Sequence, residues 1–275
     1  MSSAQSSRSH RSSPEAAGKA ADRAEAAVDS ASPAAIDILG VPVSARSERD
    51  AIDWMERTFA AHGRLCQIAT YNPEYAIAAR NDRRFLDAIR RCELVTADGI
   101  GIVLAAKLRG RTLERVTGVR LLELLAATNQ PLFLLGAGPG VAERAASNLL
   151  SQQPRACIAG WWSDGTPDPA LDETTIARIR DSGARVLAVA YGAPAQVFWI
   201  DRNRAALSAA GVRIAIGVGG ALDYWSGEAS LAPEPIRRIG LEWFWRLLRE
   251  PRRWRRQLAL PQFALLAAIE AVRLR

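Results

Sequence analysis

Three observations predict an α/β fold. Short apolar runs recur along the chain, stretches with helical apolar spacing lie between them, and polar or glycine-rich clusters close several of the runs. Strands separated by helices pair in parallel, and a parallel sheet must be covered on both faces. The expectation is a Rossmann-like core, a largely parallel sheet with helices on both faces, followed by a basic helical appendage at the C-terminus. No internal repeat is present.

Residues 1–33 are rich in Ser, Ala, Arg and Glu and nearly devoid of large apolar side chains. Such a composition cannot offset the entropy of ordering a chain, so a disordered leader is expected, with a loose helix over 15–29 as the alternative. His10 lies in it and needs no role. From Ile36 to Val43 the pattern is short and β-like, and a helix begins near Ser47. Strand candidates then recur at 65–69, 93–96, 131–135, 155–159, 185–190 and 212–216, with helical spacing over Val141–Leu150 and Thr174–Asp181. The core is read as 34–230.

Residues 231–275 differ in kind. The run from Leu241 to Gln257 combines Trp243, Phe244, Trp245 and Trp254 with six arginines and is broken by Pro251, and Phe263–Val272 is apolar except for Glu270. An aromatic, arginine-rich tail can lie in a bilayer interface with its cations on anionic headgroups. A helix that covers the sheet and exposes a basic face is the plainer alternative.

Of 275 residues 49% are hydrophobic, enough for a sizeable core. The net charge of +7 is almost wholly arginine, Lys19 and Lys107 being the only lysines. Arginine suits bidentate contact with phosphate, so clustered arginines suggest anionic partners, whereas scattered ones need only a compositional bias. Cys66, Cys92 and Cys157 form neither a disulfide framework nor a zinc pattern, which suggests a reducing compartment. There is no apolar signal core and no run of roughly 18 apolar residues. A cytosolic protein that can sit at a membrane surface is the expectation.

The segment Val95-Thr96-Ala97-Asp98-Gly99-Ile100-Gly101 ends an apolar run on one carboxylate and then two glycines. A carboxylate where a strand stops lies at the edge of an α/β sheet that usually binds ligands, and the glycines would let a substrate approach the backbone. Other strand candidates end similarly, at Thr70-Tyr71-Asn72-Pro73-Glu74, at Gly136-Ala137-Gly138-Pro139-Gly140 and at Tyr191-Gly192-Ala193-Pro194-Ala195-Gln196. By chemistry alone Asn72 before Pro73 is a helix cap, and Glu74 is a first-turn partner of the helix dipole. The Gly136–Gly140 turn lacks the dinucleotide glycine spacing but opens a helix, which leaves phosphate or uridine contact and a ligand-free tight turn both open. Gln196, after a strand and Gly-x-Pro, could hydrogen-bond a ligand or be a surface residue of a helix N-terminus. Asp223 and Glu242, charged among apolar neighbours, are expected in ion pairs with arginine. Trp161 and Trp162 are expected to pack.

The chain resembles the WecG/TagA/CpsF glycosyltransferases of bacterial surface-polysaccharide synthesis from about Ile36 to Gln257. The resemblance is carried by Thr70-x-Asn72-Pro73-Glu74, Asp98-Gly99, Glu114-Arg115-x-x-Gly118, Gly136-x-x-Pro139-Gly140, Gly192-x-Pro194-x-Gln196, Gly217-Val218-Gly219-Gly220, Ala232-Pro233 and Gly240-Leu241-Glu242-Trp243, with Arg246-Leu247 and Glu250-Pro251-x-Arg253. Val197 stands where the family's glutamate usually follows the glutamine, and Leu231 where a basic residue usually precedes Ala-Pro.

The resemblance implies an inverting transfer of N-acetylmannosamine, its uronic acid or glucose from a UDP-sugar to a polyprenyl-diphosphate-linked saccharide at the inner membrane face. It favours a substrate role for Thr70 and Asn72, and for Gln196 on a uracil edge or a sugar hydroxyl. Such a displacement needs one base, for which Asp98 is the candidate, whereas a glycoside hydrolase needs two cooperating carboxylates. No Asp-x-Asp pair for Mg²⁺ or Mn²⁺ occurs, so no metal and no cofactor is expected. Leaving-group charge then falls to the helix after Gly136 and Gly138, to Arg115, and, as the resemblance implies, to tail arginines such as Arg237 or Arg238. Two other readings compete. One is a catalytically silent, membrane-docked scaffold, and the other a nucleic-acid-binding protein that uses the basic aromatic tail, although no nucleic acid is expected. A homo-oligomer is compatible with such a tail.

Overall fold

The computed structural model describes residues 35–44, 47–61, 63–238, 240–249 and 254–273. The expected leader, His10, and Pro251 with Arg252 and Arg253 lie outside the described residues.

The chain opens with an antiparallel hairpin, β1 (Ile36–Ile38) and β2 (Val41–Val43), closed by Leu39 and Gly40 at φ 52° and 83°. Two consecutive positive φ values make the mirror-image turn whose twist suits a two-residue hairpin. Helix α1 (Glu48–Ala60) follows, started by a capping box in which Ser47 and Asp50 satisfy each other's backbone N–H groups.

Six parallel strands form the sheet: β3 (Cys66–Tyr71), β4 (Leu94–Ala97), β5 (Leu132–Gly136), β6 (Ile158–Trp162), β7 (Val186–Ala190) and β8 (Ile214–Gly217), in the order β4-β3-β8-β7-β5-β6. The hairpin abuts the β4 edge, where Ser44 donates its N–H to the Val95 carbonyl and its Oγ accepts the Val95 N–H. An edge so covered is closed to pairing with another chain.

Alternation along the strands fixes the two faces. Ile68, Leu132, Leu134, Val186, Ala188, Ile214 and Ile216 pack with α1, α5 (Gly118–Ala127), α6 (Val141–Gln152) and the short α10 (Ala221–Trp225). On the other face Ala69, Tyr71, Val95 and Ala97 meet α2 (Pro73–Asn81), α3 (Arg83–Arg90) and α4 (Ile100–Leu108). Further along that face Phe133, Leu135, Leu187, Val189 and Ala215 meet α7 (Asp172–Asp181), α8 (Ala195–Arg202) and α9 (Arg204–Ala209). The fold is α/β and Rossmann-like, with helices on both faces.

The sequence places the fourth sheet strand at 155–159, but β6 starts at Ile158. Residues before it are used in a turn in which Ala156 donates to the Gln153 carbonyl. The shift brings Trp161 and Trp162 into an edge strand, with Trp161 exposed and Trp162 under the Arg178 guanidinium at 4.7 Å.

The tail contains α11 (Glu234–Arg238), α12 (Glu242–Arg249), α13 (Trp254–Gln257) and α14 (Ala259–Arg273). Helix α14 packs on α2 and α4 through Phe263, Ala267 and Ala271, and Glu270 meets Arg109 at 3.4 Å. Burying Phe263 contributes about 1.5–3 kcal/mol to that docking. The opposite side of α14 leaves Leu265, Ile269 and Val272 exposed. No helix among the described residues is long and apolar enough to cross a membrane.

Candidate active site

The carboxyl ends of the parallel strands set out the candidate residues in a row. β3 ends at Tyr71, and Asn72 takes extended backbone (φ −137°, ψ 173°) to cap α2, its Oδ1 accepting the Tyr75 N–H at 3.0 Å with Pro73 in the first turn. Asp98 follows β4 and extends the ladder by donating its N–H to the Tyr71 carbonyl at 2.8 Å. Thr70 is nearly buried one residue before the end of β3, beside Thr96 in register.

The loop after α4 returns to this point. Val116 donates to the Ala97 carbonyl at 2.9 Å, and Thr117 caps α5 by accepting the Arg120 N–H. Gly118, the first residue of α5, donates its N–H to Asp98 Oδ2 at 3.3 Å. A Cβ on Gly118 would stand 3.6 Å from Thr70 Cγ2, 3.7 Å from the Val218 carbonyl and 3.8 Å from Asp98 Oδ2. Thr70, Asp98 and the turn after β8 therefore converge on one helix start.

The glycines after Asp98 have a different reason from the one expected. Gly99 has φ +142°, and a Cβ there would stand 3.3 Å from Pro73; one on Gly101 would stand 2.8 Å from Pro73 and 3.4 Å from Phe263. The room they leave is filled by α2 and by the tail, so they permit close packing around Asp98.

Arg115 pairs with Glu242 of α12, Nη1 to Oε2 at 2.8 Å and Nη2 to Oε1 at 3.4 Å, both side chains partly buried. The pairing expected for Glu242 is thus met by the very arginine proposed for the diphosphate. Close by, a Cβ on Gly240 (φ +76°) would stand 2.7 Å from Ile100, so the tail lies directly on the start of α4. Arg237 and Arg238 fall in α11, and their side chains lie outside the described ones.

Gly136 ends β5 at φ +88°, where a Cβ would stand 2.7 Å from the Tyr191 ring. Gly138 and Gly140 continue the turn into α6, whose Ala142 N–H is met by Ser163 Oγ at 3.3 Å. From β4 to β5 is four strand steps, so at about 4.8 Å per step Asp98 and the Gly136 turn lie roughly 19 Å apart across the sheet. Thr70, Asn72 and Asp98 are brought together, while Gly136 and Gly138 form the far end of the same edge.

Gln196 stands between them and is 2% exposed. Its Nε2 donates to Tyr75 Oη at 2.7 Å and its Oε1 accepts the Gly219 N–H at 3.0 Å. Burial holds the Tyr75 hydroxyl far above its ordinary pKa, with nearby Asp98 adding to the rise. Tyr75 carries no signal in the sequence, because nothing in Asn72-Pro73-Glu74-Tyr75 marks an aromatic whose hydroxyl reaches another element. Among the described residues no three His, Cys, Asp or Glu side chains gather as metal ligands do.

The family described as "Glycosyl transferase WecG/TagA/CpsF family" matches residues 36–275. The chain belongs to this family. Among WecG/TagA/CpsF relatives, the N-acetylglucosaminyldiphosphoundecaprenol N-acetyl-beta-D-mannosaminyltransferase of Bacillus subtilis (strain 168) is 35% identical over 220 residues, covering 78% of this chain and 83% of the relative. The protein of the same description from Bacillus spizizenii (strain ATCC 23059 / NRRL B-14472 / W23) is 32% identical over 218 residues, covering 77% and 82%. In this WecG/TagA/CpsF chain the motif residues Thr70, Asn72, Asp98 and Gly118 are the ones that meet at the mouths of β3 and β4.

Proposed function

We propose that this family member is an inverting, metal-independent glycosyltransferase. It moves a sugar of N-acetylmannosamine type, or glucose, from a UDP-sugar to a polyprenyl-diphosphate-linked saccharide in envelope or exopolysaccharide synthesis. The observation that carries the reading is the convergence of Asp98, Thr70 and the Gly118 N–H at one strand mouth, in a chain whose relatives are described as transferases of N-acetylmannosamine to a diphosphoundecaprenol-linked sugar. Those relatives favour N-acetylmannosamine over glucose.

In this reading Asp98 takes the proton of the acceptor hydroxyl as its oxygen attacks the anomeric carbon from the face opposite UDP, so one carboxylate suffices and the configuration inverts. The Gly118 N–H orients that carboxylate. Thr70 and Asn72 stand where they can meet sugar hydroxyls, and the Gly136–Gly140 turn, at the other end of the row, takes the nucleoside or its phosphates at the start of α6. An extended nucleoside diphosphate sugar bridges that span. Charge on the departing diphosphate is met by Arg115, Arg237 or Arg238 and by the helix start.

The membrane part of the reading rests on the tail. Leu241, Trp243, Phe244, Leu248, Trp254, Leu258, Leu265, Ile269 and Val272 are all exposed there, among arginines suited to anionic headgroups. These residues support a protein peripheral on the cytoplasmic face of the inner membrane, beside the lipid of its acceptor.

The test is transfer of labelled sugar from a panel of UDP-sugars to a short-chain polyprenyl-diphosphate acceptor in EDTA. Transfer from UDP-N-acetylmannosamine in EDTA is expected. Transfer that stops in EDTA and returns with Mn²⁺ overturns metal independence, binding of UDP without transfer from any donor overturns the acceptor, and failure to bind UDP at all leaves the scaffold reading.

A further inference from the structure

Three hydrogen bonds run in series beneath the mouths of β3, β7 and β8. Asn72 Oδ1 accepts the Tyr75 N–H at 3.0 Å, Tyr75 Oη accepts from Gln196 Nε2 at 2.7 Å, and Gln196 Oε1 accepts the Gly219 N–H at 3.0 Å. The anchors are the first turn of α2, the first turn of α8 and the turn that leaves β8. Tyr75 is 4% exposed and Gln196 2%. At such burial an unmade bond strands a polar group, so the series holds its members in one arrangement.

The amide lies against the end of β8. A Cβ on Gly217 would stand 2.7 Å from Gln196 Nε2 and 2.8 Å from its Cδ, so the strand end is shaped to seat it. The ring of Tyr75 is fixed as well, by Phe85 with centroids 5.4 Å apart. What the series holds is next to the candidate base. The Val218 carbonyl and Asp98 Oδ2 both lie within 4 Å of the Cβ position of Gly118, whose N–H meets Asp98. A shift of the turn at Gly219 moves Val218 against Gly118, and with it the donor on Asp98.

We infer that Tyr75 is a positioning residue for sugar transfer, acting through Gln196 as a buried strut that sets the distance between the adjacent β3 and β4 mouths, with Asn72 and Asp98, and the turn after β8. The inference rests on the transferase reading. It assigns Gln196 to holding the site and not to touching the donor. Tyr75→Phe removes the acceptor for Nε2 while keeping the ring. Gln196→Leu removes both links at nearly constant volume.

The experiment measures kcat and the donor KM for wild type, Tyr75→Phe, Gln196→Leu, the double variant and Gly217→Ala, with hydrogen–deuterium exchange of the segment 217–221 on the same samples. In the two single hydrogen-bond variants kcat falls by about tenfold or more, as misplaced groups cost, while the donor KM stays within about twofold. The double variant is no worse than Gln196→Leu alone, because the hydroxyl and the amide act as one unit. Gly217→Ala, which displaces the amide without deleting a polar atom, shows the same split and guards against a variant that fails to fold. Exchange over 217–221 accelerates in every variant. Gln196→Leu raising KM at constant kcat, or Tyr75→Phe matching wild type, overturns the strut. Wild-type transfer, read in the same assay, tests the transferase reading separately, and unchanged exchange overturns the strut whatever the activity.

Discussion

Replacing Gly136 by alanine isolates one contact at the far end of the candidate site. Two costs add there. The backbone sits at φ +88°, and the new methyl would stand 2.7 and 2.8 Å from two carbons of the Tyr191 ring. The left-handed backbone costs about 1–2 kcal/mol for a residue with a Cβ, and overpacking a filled site costs about 1–3 kcal/mol. Gly136→Ala is therefore expected to lose about 2–5 kcal/mol of stability. Gly183 is the internal control, at φ +70° with nothing within 4 Å of its Cβ position. Gly183→Ala should show the backbone cost alone, about 1–2 kcal/mol. Urea denaturation gives both values, and in a thermal scan each kcal/mol corresponds to about 2–4 °C in a chain of this size. Equal losses in the two variants would refute the claim that Tyr191 shapes the Gly136 turn.

Three further outcomes follow from the geometry. Glu242→Gln leaves Arg115 with a neutral partner and is expected to loosen α12 by about 0.5–2 kcal/mol. Limited proteolysis within 231–249 should accelerate, and Glu242→Asp should restore part of the protection; an unchanged cleavage rate contradicts this. Stability should fall as pH rises above 10. Tyr71, Tyr75 and Tyr191 all have hydroxyls raised above the ordinary value of 10.0, mainly by burial. The unfolded chain sheds those protons near pH 10 and the folded chain sheds them only above it, so the unfolded state binds fewer protons in that window. A urea midpoint that is flat from about pH 9 to pH 11 would contradict the linkage. Finally, the full chain should sediment with vesicles containing anionic lipid more than with neutral ones, each arginine near the surface contributing about 1 kcal/mol. Leu265→Glu with Val272→Glu should weaken that binding without lowering the unfolding temperature, and unaffected binding would remove α14 from the interface.

Much of the fold is legible because strand burial is written as apolar runs. β5 and β8 are buried over their whole length and β7 over all but Ala190, and the three lie within two residues of where the sequence puts them. β6 is displaced because an edge strand, with one neighbour, is only partly buried and shows no such run. Local hydrogen bonds are equally legible, as at Ser47 and Asn72, whose capping depends on residues three positions away. Glu242 could be recognised as an arginine's partner, but not as Arg115's, since the two are 127 residues apart. The glycines at 99 and 101 could be recognised as points of close approach, but not what approaches, because Phe263 arrives from the tail. Tyr75 was illegible for the same reason, its hydroxyl being held 121 residues away.

Asp98 is assigned here as the base of a sugar transfer. The most direct measurement compares single-turnover transfer from UDP-N-acetylmannosamine to a polyprenyl-diphosphate-linked acceptor by wild type and by Asp98→Asn. Asparagine is nearly isosteric and can still accept the Gly118 N–H, so donor binding and unfolding temperature should stay the same. Transfer should fall by about 10²–10⁴-fold, the contribution of a positioned general base. Transfer by Asp98→Asn at the wild-type rate would exclude Asp98 as the base and move that role elsewhere on the strand mouth.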